Sequence, residues 1–524
     1  MKRLVLNGKA LTLSDLHTWV HSAPGASPRV ELHPRSWEKI KRSHDYISRI
    51  AARPKAVYGV NTGFGLLSDV KIPRQKLAEL QVNLLRSHAA GVGPALSFPE
   101  ARAALLLRAN TLAAGHSGVS PALMDAILKI LNAGIVPWIP EQGSVGACGD
   151  LAPLAHMALV LIGEGKAWYR GRLQSGASAL KAAGLRPHKL QAKEGLALIN
   201  GTQVMTAIGA LAVYEAMELA KLADVAGAMS LEAVRGTSKA FHPQIQRLRP
   251  HREQADVAAN LRKLLAASGI AASHAECGKV QDPYSFRCMP QVHGAARRLI
   301  HACAQTLETE VNSVTDNPLV FTPRDMNRKG DGPEGGEVMS GGNFHGEYAA
   351  MALDTLAIAL SELANISDLR IQKLINPAMS GLPAFLATDP GLNSGMMIVQ
   401  VAAASLVSEN KVLSHPASVD SIPTSADKED HVSMGTTSAR KARQVLRNAR
   451  NVLAMEILCA AQGLDFLRPL RAGRGARAAR DHVRESVGFA NKDRAFHEDI
   501  ERIHELLRSG SLLAAVEKAV GSLA

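Results

Sequence analysis

Gly143-Ser144-Val145-Gly146-Ala147-Cys148-Gly149-Asp150 sets one cysteine among three glycines and an alanine. So little side chain lets the backbone turn tightly. The residues that follow, Leu151-Ala152-Pro153-Leu154-Ala155-His156-Met157-Ala158-Leu159-Val160, read as an apolar helix. Pro153 falls in its first turn, where a missing N–H costs nothing. The turn therefore points into a helix N-terminus, which favours negative charge. A lone cysteine in apolar surroundings is usually a packed one. Two chemical readings stand beside that one. The first is a thiolate nucleophile at a helix N-terminus. In the second, the Gly149 nitrogen attacks the Ala147 carbonyl and closes a five-membered ring. Loss of the Cys148 sulfur then leaves an exocyclic alkene, a methylidene-imidazolone electrophile.

At these residues the chain resembles the aromatic amino acid ammonia-lyase family, whose electrophile arises from Ala-Ser-Gly within G-S-V-G-A-S-G-D-L-A-P-L. The match is residue for residue except at Cys148, where the family usually has serine. The resemblance implies a 4-methylidene-imidazol-5-one formed from Ala147, Cys148 and Gly149, with no external cofactor and no metal. Loss of the thiol gives the same dehydroalanine as loss of water.

Composition agrees with a helical globular chain. Of 524 residues 46% are hydrophobic and only 4% aromatic, which disfavours β-sandwiches and barrels. Cysteines at 148, 277, 288, 303 and 459 have no metal-site or disulfide spacing. The N-terminal Met1-Lys2-Arg3-Leu4-Val5-Leu6 lacks the apolar core of a secretory signal. No uncharged apolar run reaches the ~18 residues of a membrane helix. The expectation is a cytoplasmic protein with no membrane partner. The net charge of +13 is mostly dispersed. Its densest run, Arg468 to Arg484, has no interleaved aromatics, so a solvated or ion-paired face is expected in preference to a nucleic-acid partner.

Along the chain, Leu4-Val5-Leu6-Asn7-Gly8 reads as a strand and turn. Tyr58-Gly59-Val60-Asn61-Thr62-Gly63-Phe64-Gly65 reads as a loop that can move as a lid. It matches the family's mobile loop, whose tyrosine is assigned as the base for the substrate's β-proton. Tyr58 then needs a depressed pKa, because a phenol near 10 is a poor base. Ser87-His88 stands where the family reads the substrate side chain, in the form seen in histidine-acting and some tyrosine-acting members. A helix is expected over 102–114, and another opens at Ser120-Pro121 and closes at Gly134. Residues 167–173 read as a hairpin. Asn200, in Glu194-Gly195-Leu196-Ala197-Leu198-Ile199-Asn200-Gly201-Thr202, is assigned by the resemblance to the substrate carboxylate and the ring oxygen.

From residue 204 the apolar spacing predicts long helices over 205–234, 299–314, 347–371 and 438–462, which pack as a bundle. Val280-Gln281-Asp282-Pro283-Tyr284-Ser285-Phe286-Arg287-Cys288 matches a second family motif. There Arg287 grips the substrate carboxylate, as a planar guanidinium does, and Gln281 and Tyr284 line the site. Residues 325–342 look like an exposed excursion. Phe344 resembles the residue packed on the electrophile. Glu409, in Ser408-Glu409-Asn410-Lys411, is read as the carboxylate that holds an imidazole N–H. Glu429-Asp430-His431-Val432-Ser433-Met434 follows without an assigned role.

The resemblance implies a mostly α ammonia-lyase fold, divided into a smaller N-terminal region, 1–203, and a long-helix bundle with a C-terminal helical region, 204–524. It implies a homotetramer whose active sites draw on three subunits. The implied activity is deamination of L-histidine to trans-urocanate and ammonia, with His88 and Glu409 as the reason for histidine. The alternatives are a tyrosine ammonia-lyase or 2,3-aminomutase, and a non-catalytic helical oligomer with Cys148 uncyclised.

Overall fold

The computed structural model describes residues 3–23, 27–326, 330, 332 and 335–524. Four long helices dominate it: Gln203–Ala233, Met289–Glu310, Glu347–Ile375 and Gly435–Phe466. Each overlaps one of the four expected stretches. The second ends earlier than its apolar spacing suggested, so Val311 and Val314 lie beyond it.

Shorter elements follow their local signals. Ser120 caps Pro121–Ala133 through its hydroxyl, and Gly134 ends that helix at φ +71°, a conformation glycine tolerates. The helix expected from residue 102 begins earlier, at Phe98, because Ser97 and Glu100 form a reciprocal capping box. Strand Arg3–Leu6 pairs in parallel with Arg29–Leu32. Lys166–Tyr169 and Arg172–Ser175 form the expected hairpin. Of the expected excursion at 325–342, residues 327–329, 331, 333 and 334 lie outside the described residues. Its end is a strand instead, Glu337–Met339, paired with Leu319–Phe321.

Two compact units emerge, and each is discontinuous in sequence. The first comprises Met1–Tyr214, Ala304–Asp354 and Pro416–Arg440; the second comprises Glu215–Cys303, Thr355–His415 and Lys441–Ala524. All four long helices carry residues of both, so no single cut at 203/204 separates them.

In the first unit the centre is Asp150, which is fully buried. It precedes helix Leu151–Leu161 but does not cap it with its side chain. Its Oδ2 instead accepts the backbone N–H of Val204 and of Met205, both at 2.9 Å, in the first turn of Gln203–Ala233. Its Oδ1 accepts the hydroxyls of Ser144 and of Thr436, the latter in the first turn of Gly435–Phe466. One carboxylate thus serves orphan donors at one helix start and binds a second, while its own backbone opens a third. Burial raises its pKa, and the bonds from Thr436, Met205, Ser144 and Val204 oppose that rise.

In the second unit the buried Glu456 carboxylate receives Arg370 Nε and Nη2 at 2.5 and 2.8 Å, together with the hydroxyls of Ser230 and Ser367. Asp465 pairs with Arg480 and Arg484, which accounts for part of the arginine run as an ion-paired face. Glu347–Ile375 is, among the described residues, the one helix long and apolar enough to cross a membrane, and 61% of its apolar window is buried inside the protein, as in a core helix.

Replacing Asp150 with alanine leaves the buried N–H groups of Val204 and Met205 unpaired. The expected loss is about 2–4 kcal/mol in chemical denaturation. A loss below about 0.5 kcal/mol would contradict this account of the carboxylate.

Candidate active site

The electrophile-forming residues sit in a turn closed by a bridge between Gly146 and Gly149, with Ala147 and Cys148 at its tip. Gly149 has φ +68°, and a Cβ there would lie 2.1 Å from the Gly201 carbonyl oxygen, so only glycine fits. Asp150 N–H donates to that same oxygen at 2.8 Å, and Gly201 N–H donates to the Cys148 carbonyl at 3.3 Å. The segment 429–434 closes the other side. Met434 N–H reaches Val145 O at 2.8 Å, and the Ser433 hydroxyl reaches Gly146 O at 3.1 Å. The turn is held from both sides in a shape that presents the Gly149 nitrogen and Ala147 carbonyl across two residues. The chain thereby fits the ring that the sequence implies.

A cavity of about 1220 Å³ opens over this turn, entirely within the first unit. It is lined by Tyr58, His88, Ala147, Cys148, Asn200, Phe344 and Glu429, among others. The Cys148 thiol donates to Glu429 Oε1 at 3.1 Å. Burial first, and then Glu429, push that thiol far above its ordinary pKa. The helix N-terminus does not overcome these effects, so a reactive thiolate is disfavoured here. Glu429 is itself fixed, its Oε2 accepting the Thr424 hydroxyl at 2.6 Å.

Burial also lowers the pKa of His88, against the Leu84 backbone and Glu429, which raise it. His88 Nδ1 lies 3.1 Å from Ser87 Oγ. The Tyr58 phenol is raised, by burial and by Cys148 and Glu429, with the Gly65 backbone opposing. The depression expected of a base is not produced by these neighbours. Asn200 is buried, and its Oδ1 has no hydrogen-bond partner among the described residues.

Gln281, Tyr284, Arg287 and Glu409 belong to the second unit, and none is among the residues lining this cavity. Tyr284 is 71% exposed, with the Arg287 guanidinium 4.5 Å from its ring centre. Glu409 is exposed and accepts Asn448 Nδ2 at 2.9 Å. Three carboxylates share the cavity with His88, those of Asp69, Glu429 and Asp430, and Glu429 is the one bonded to the Cys148 thiol. Its motif was visible in the sequence, but no local pattern pairs it with a cysteine 281 residues away. His345, Glu347 and His431 bring possible ligand atoms within 4.8 Å of one another. A tetrahedral zinc with bonds near 2.0 Å needs them about 3.3 Å apart.

Residues 11–485 match the family model described as aromatic amino acid lyase. A histidine ammonia-lyase of Myxococcus xanthus is 52% identical over 517 residues, covering 99% of each chain. The crystal structure of histidine ammonia-lyase from Trypanosoma cruzi is 46% identical, with a TM-score of 0.90 over 99% of this chain and 96% of that one. A tyrosine aminomutase from Streptomyces globisporus aligns with a TM-score of 0.92 over the whole of both chains, at 38% identity.

Gly149→Ala is expected to block the turn and to leave the protein at its full sequence mass. Its retained Cys148 thiol is expected to alkylate more slowly than the exposed Cys277 at mildly alkaline pH. A mass deficit in this variant, or faster labelling of Cys148, would contradict the geometry.

Proposed function

The chain belongs to the aromatic amino acid lyase family of carbon–nitrogen lyases, and on that premise we propose that it deaminates L-histidine to trans-urocanate and ammonia. We further propose that it works as a cytoplasmic homotetramer with no external cofactor and no nucleic-acid or membrane partner. The observation that carries the reading is that Glu429 and His88 line the same cavity over Ala147-Cys148-Gly149. Glu429 is half-buried, and a partly desolvated carboxylate is costly beside an apolar ring but satisfies an imidazole N–H. This favours histidine over the tyrosine substrate named for the aminomutase neighbour.

Maturation is a redox-neutral loss of two small molecules. The Gly149 nitrogen bonds to the Ala147 carbonyl carbon. The carbonyl oxygen leaves as water with the amide protons of Gly149 and Cys148. The Cys148 Cα then loses its proton, Cβ–S breaks, and sulfide departs as hydrogen sulfide. The resulting methylidene-imidazolone supplies an electrophilic alkene that makes the substrate's amino group a better leaving group.

The remaining roles fall to side chains. Glu429 and His88 orient the imidazole, and Phe344 packs beside the electrophile. Asn200 offers an amide to the carboxylate, since an amide both donates and accepts. Tyr58 takes the β-proton. Arg287, Gln281, Tyr284 and Glu409 are proposed to act across subunit boundaries, with Arg287 gripping the carboxylate of a neighbouring site. Helix Met397–Leu413 supports assembly: it buries Val399 and Ala403 but leaves Ile398, Val401 and Val412 more than half exposed.

Purified protein mixed with L-histidine is expected to develop the urocanate absorbance, with no comparable product from L-tyrosine. Cys148→Ala abolishes this turnover. Glu429→Ala lowers kcat/KM for histidine by about a hundredfold, the effect of removing one charge-assisted bond of about 2.7 kcal/mol. An unaltered rate in Glu429→Ala together with a lost rate in Glu409→Ala would return the specificity to Glu409. Product from tyrosine alone would move the chain to the sister activity.

A further inference from the structure

Behind the Asn200 wall lies a charge cluster that no part of the proposed chemistry uses. Arg108, Lys193 and Asp316 are each fully buried. Lys193 Nζ donates to Asp316 Oδ2 at 3.1 Å, and Arg108 Nη2 stands 3.9 Å from the same oxygen. Arg108 Nη1 holds the Asn200 carbonyl at 2.8 Å and Gln203 Oε1 at 2.7 Å. Asp316 Oδ1 accepts the N–H of Asn317, a lining residue of the cavity. The nearest other acid in sequence, Glu194, is turned away onto Ser120, Gln191 and His188. Two basic side chains therefore share one carboxylate.

A fold selected for stability alone has little use for this arrangement. Buried charges without full pairing are destabilising, and Arg108 Nε and Nη2 have no hydrogen-bond partner among the described residues. Burial depresses the pKa of Lys193, with Asp316 opposing. Lys193 also sits at φ +69°, a left-handed conformation that a lysine adopts only under constraint. Lys193 and Asn200 bracket the same short helix, Glu194–Ile199, as its two end residues. Desolvation and backbone strain thus coincide at a single residue, tied by one helix to a proposed substrate-binding side chain.

We propose that Lys193 is a positioning residue retained at the expense of stability: it keeps the wall behind Asn200 positively charged, and that charge draws the substrate's carboxylate to Asn200. This rests on the reading of the substrate as an amino acid whose imidazole lies against Glu429 and His88. In a low-dielectric wall such a charge acts strongly across one layer of side chains, and its removal leaves Arg108 and Asp316 as a balanced pair.

The test compares full-length wild type with Lys193→Met by titration calorimetry. The two probes are trans-urocanate, which carries an imidazole and a carboxylate, and histamine, which has the imidazole without the carboxylate. Lys193→Met is expected to bind urocanate about tenfold more weakly or worse, with histamine affinity held within about twofold. Its thermal midpoint is expected to equal or exceed that of wild type, with the same mass deficit at residues 147–149. Unchanged urocanate affinity overturns the proposal. So does an equal loss for both probes, a lowered midpoint, or a variant that does not fold, since each marks a structural lysine. A wild-type protein that binds neither probe refutes the functional reading itself and is distinguishable from all of these.

Discussion

The Asp150 carboxylate is the constraint on which the first unit depends. Helix starts expose unpaired N–H groups, and three helices begin around this residue. A single buried acid serves the donors of one of them, accepts a hydroxyl from the next, and fixes the backbone that opens the third. With those ends anchored, the turn at Gly146–Gly149 has little freedom. Gly201 lies against one side and the 433–434 strip against the other. The reactive shape of the turn is thus a by-product of capping. The same bonds that organise the helices hold three backbone residues in a conformation suited to cyclisation.

The cavity above the turn is organised by opposed charges. Burial raises both the Cys148 thiol and the Tyr58 phenol, and Glu429, which lines the cavity, adds to each rise. Under the proposed function, the amino acid's ring lies against Glu429 and its carboxylate is drawn to Asn200 by the Arg108–Lys193 cluster. Cysteine at 148 is compatible with this field, because burial and Glu429 keep it a thiol until the ring forms. A free thiolate at that position would be a competing nucleophile beside an electrophile.

Much of this was legible in the chain. Apolar spacing marked the four long helices, Ser120-Pro121 and Gly134 marked both ends of one shorter helix, and the run from Gly143 to Asp150 marked the turn. What escaped was non-local. Asp150 reads as the start of its own helix, yet its side chain serves a helix that begins more than fifty residues later. In sequence Glu409 is read as the carboxylate for an imidazole and Glu429 has no assigned role; the fold sets Glu429 in the cavity with His88. The cut at 203/204 follows a change of texture in the sequence, whereas the long helices carry residues of both compact units. Lys193 left no sequence signal at all, since its left-handed backbone and its burial are products of tertiary structure.

The most direct test of the central claim is the intact mass of the purified full-length protein. The account predicts a mass below that of the translated sequence by one water and one hydrogen sulfide, with the deficit confined to residues 147–149. A chain at full sequence mass, with the Cys148 thiol still present, would contradict it.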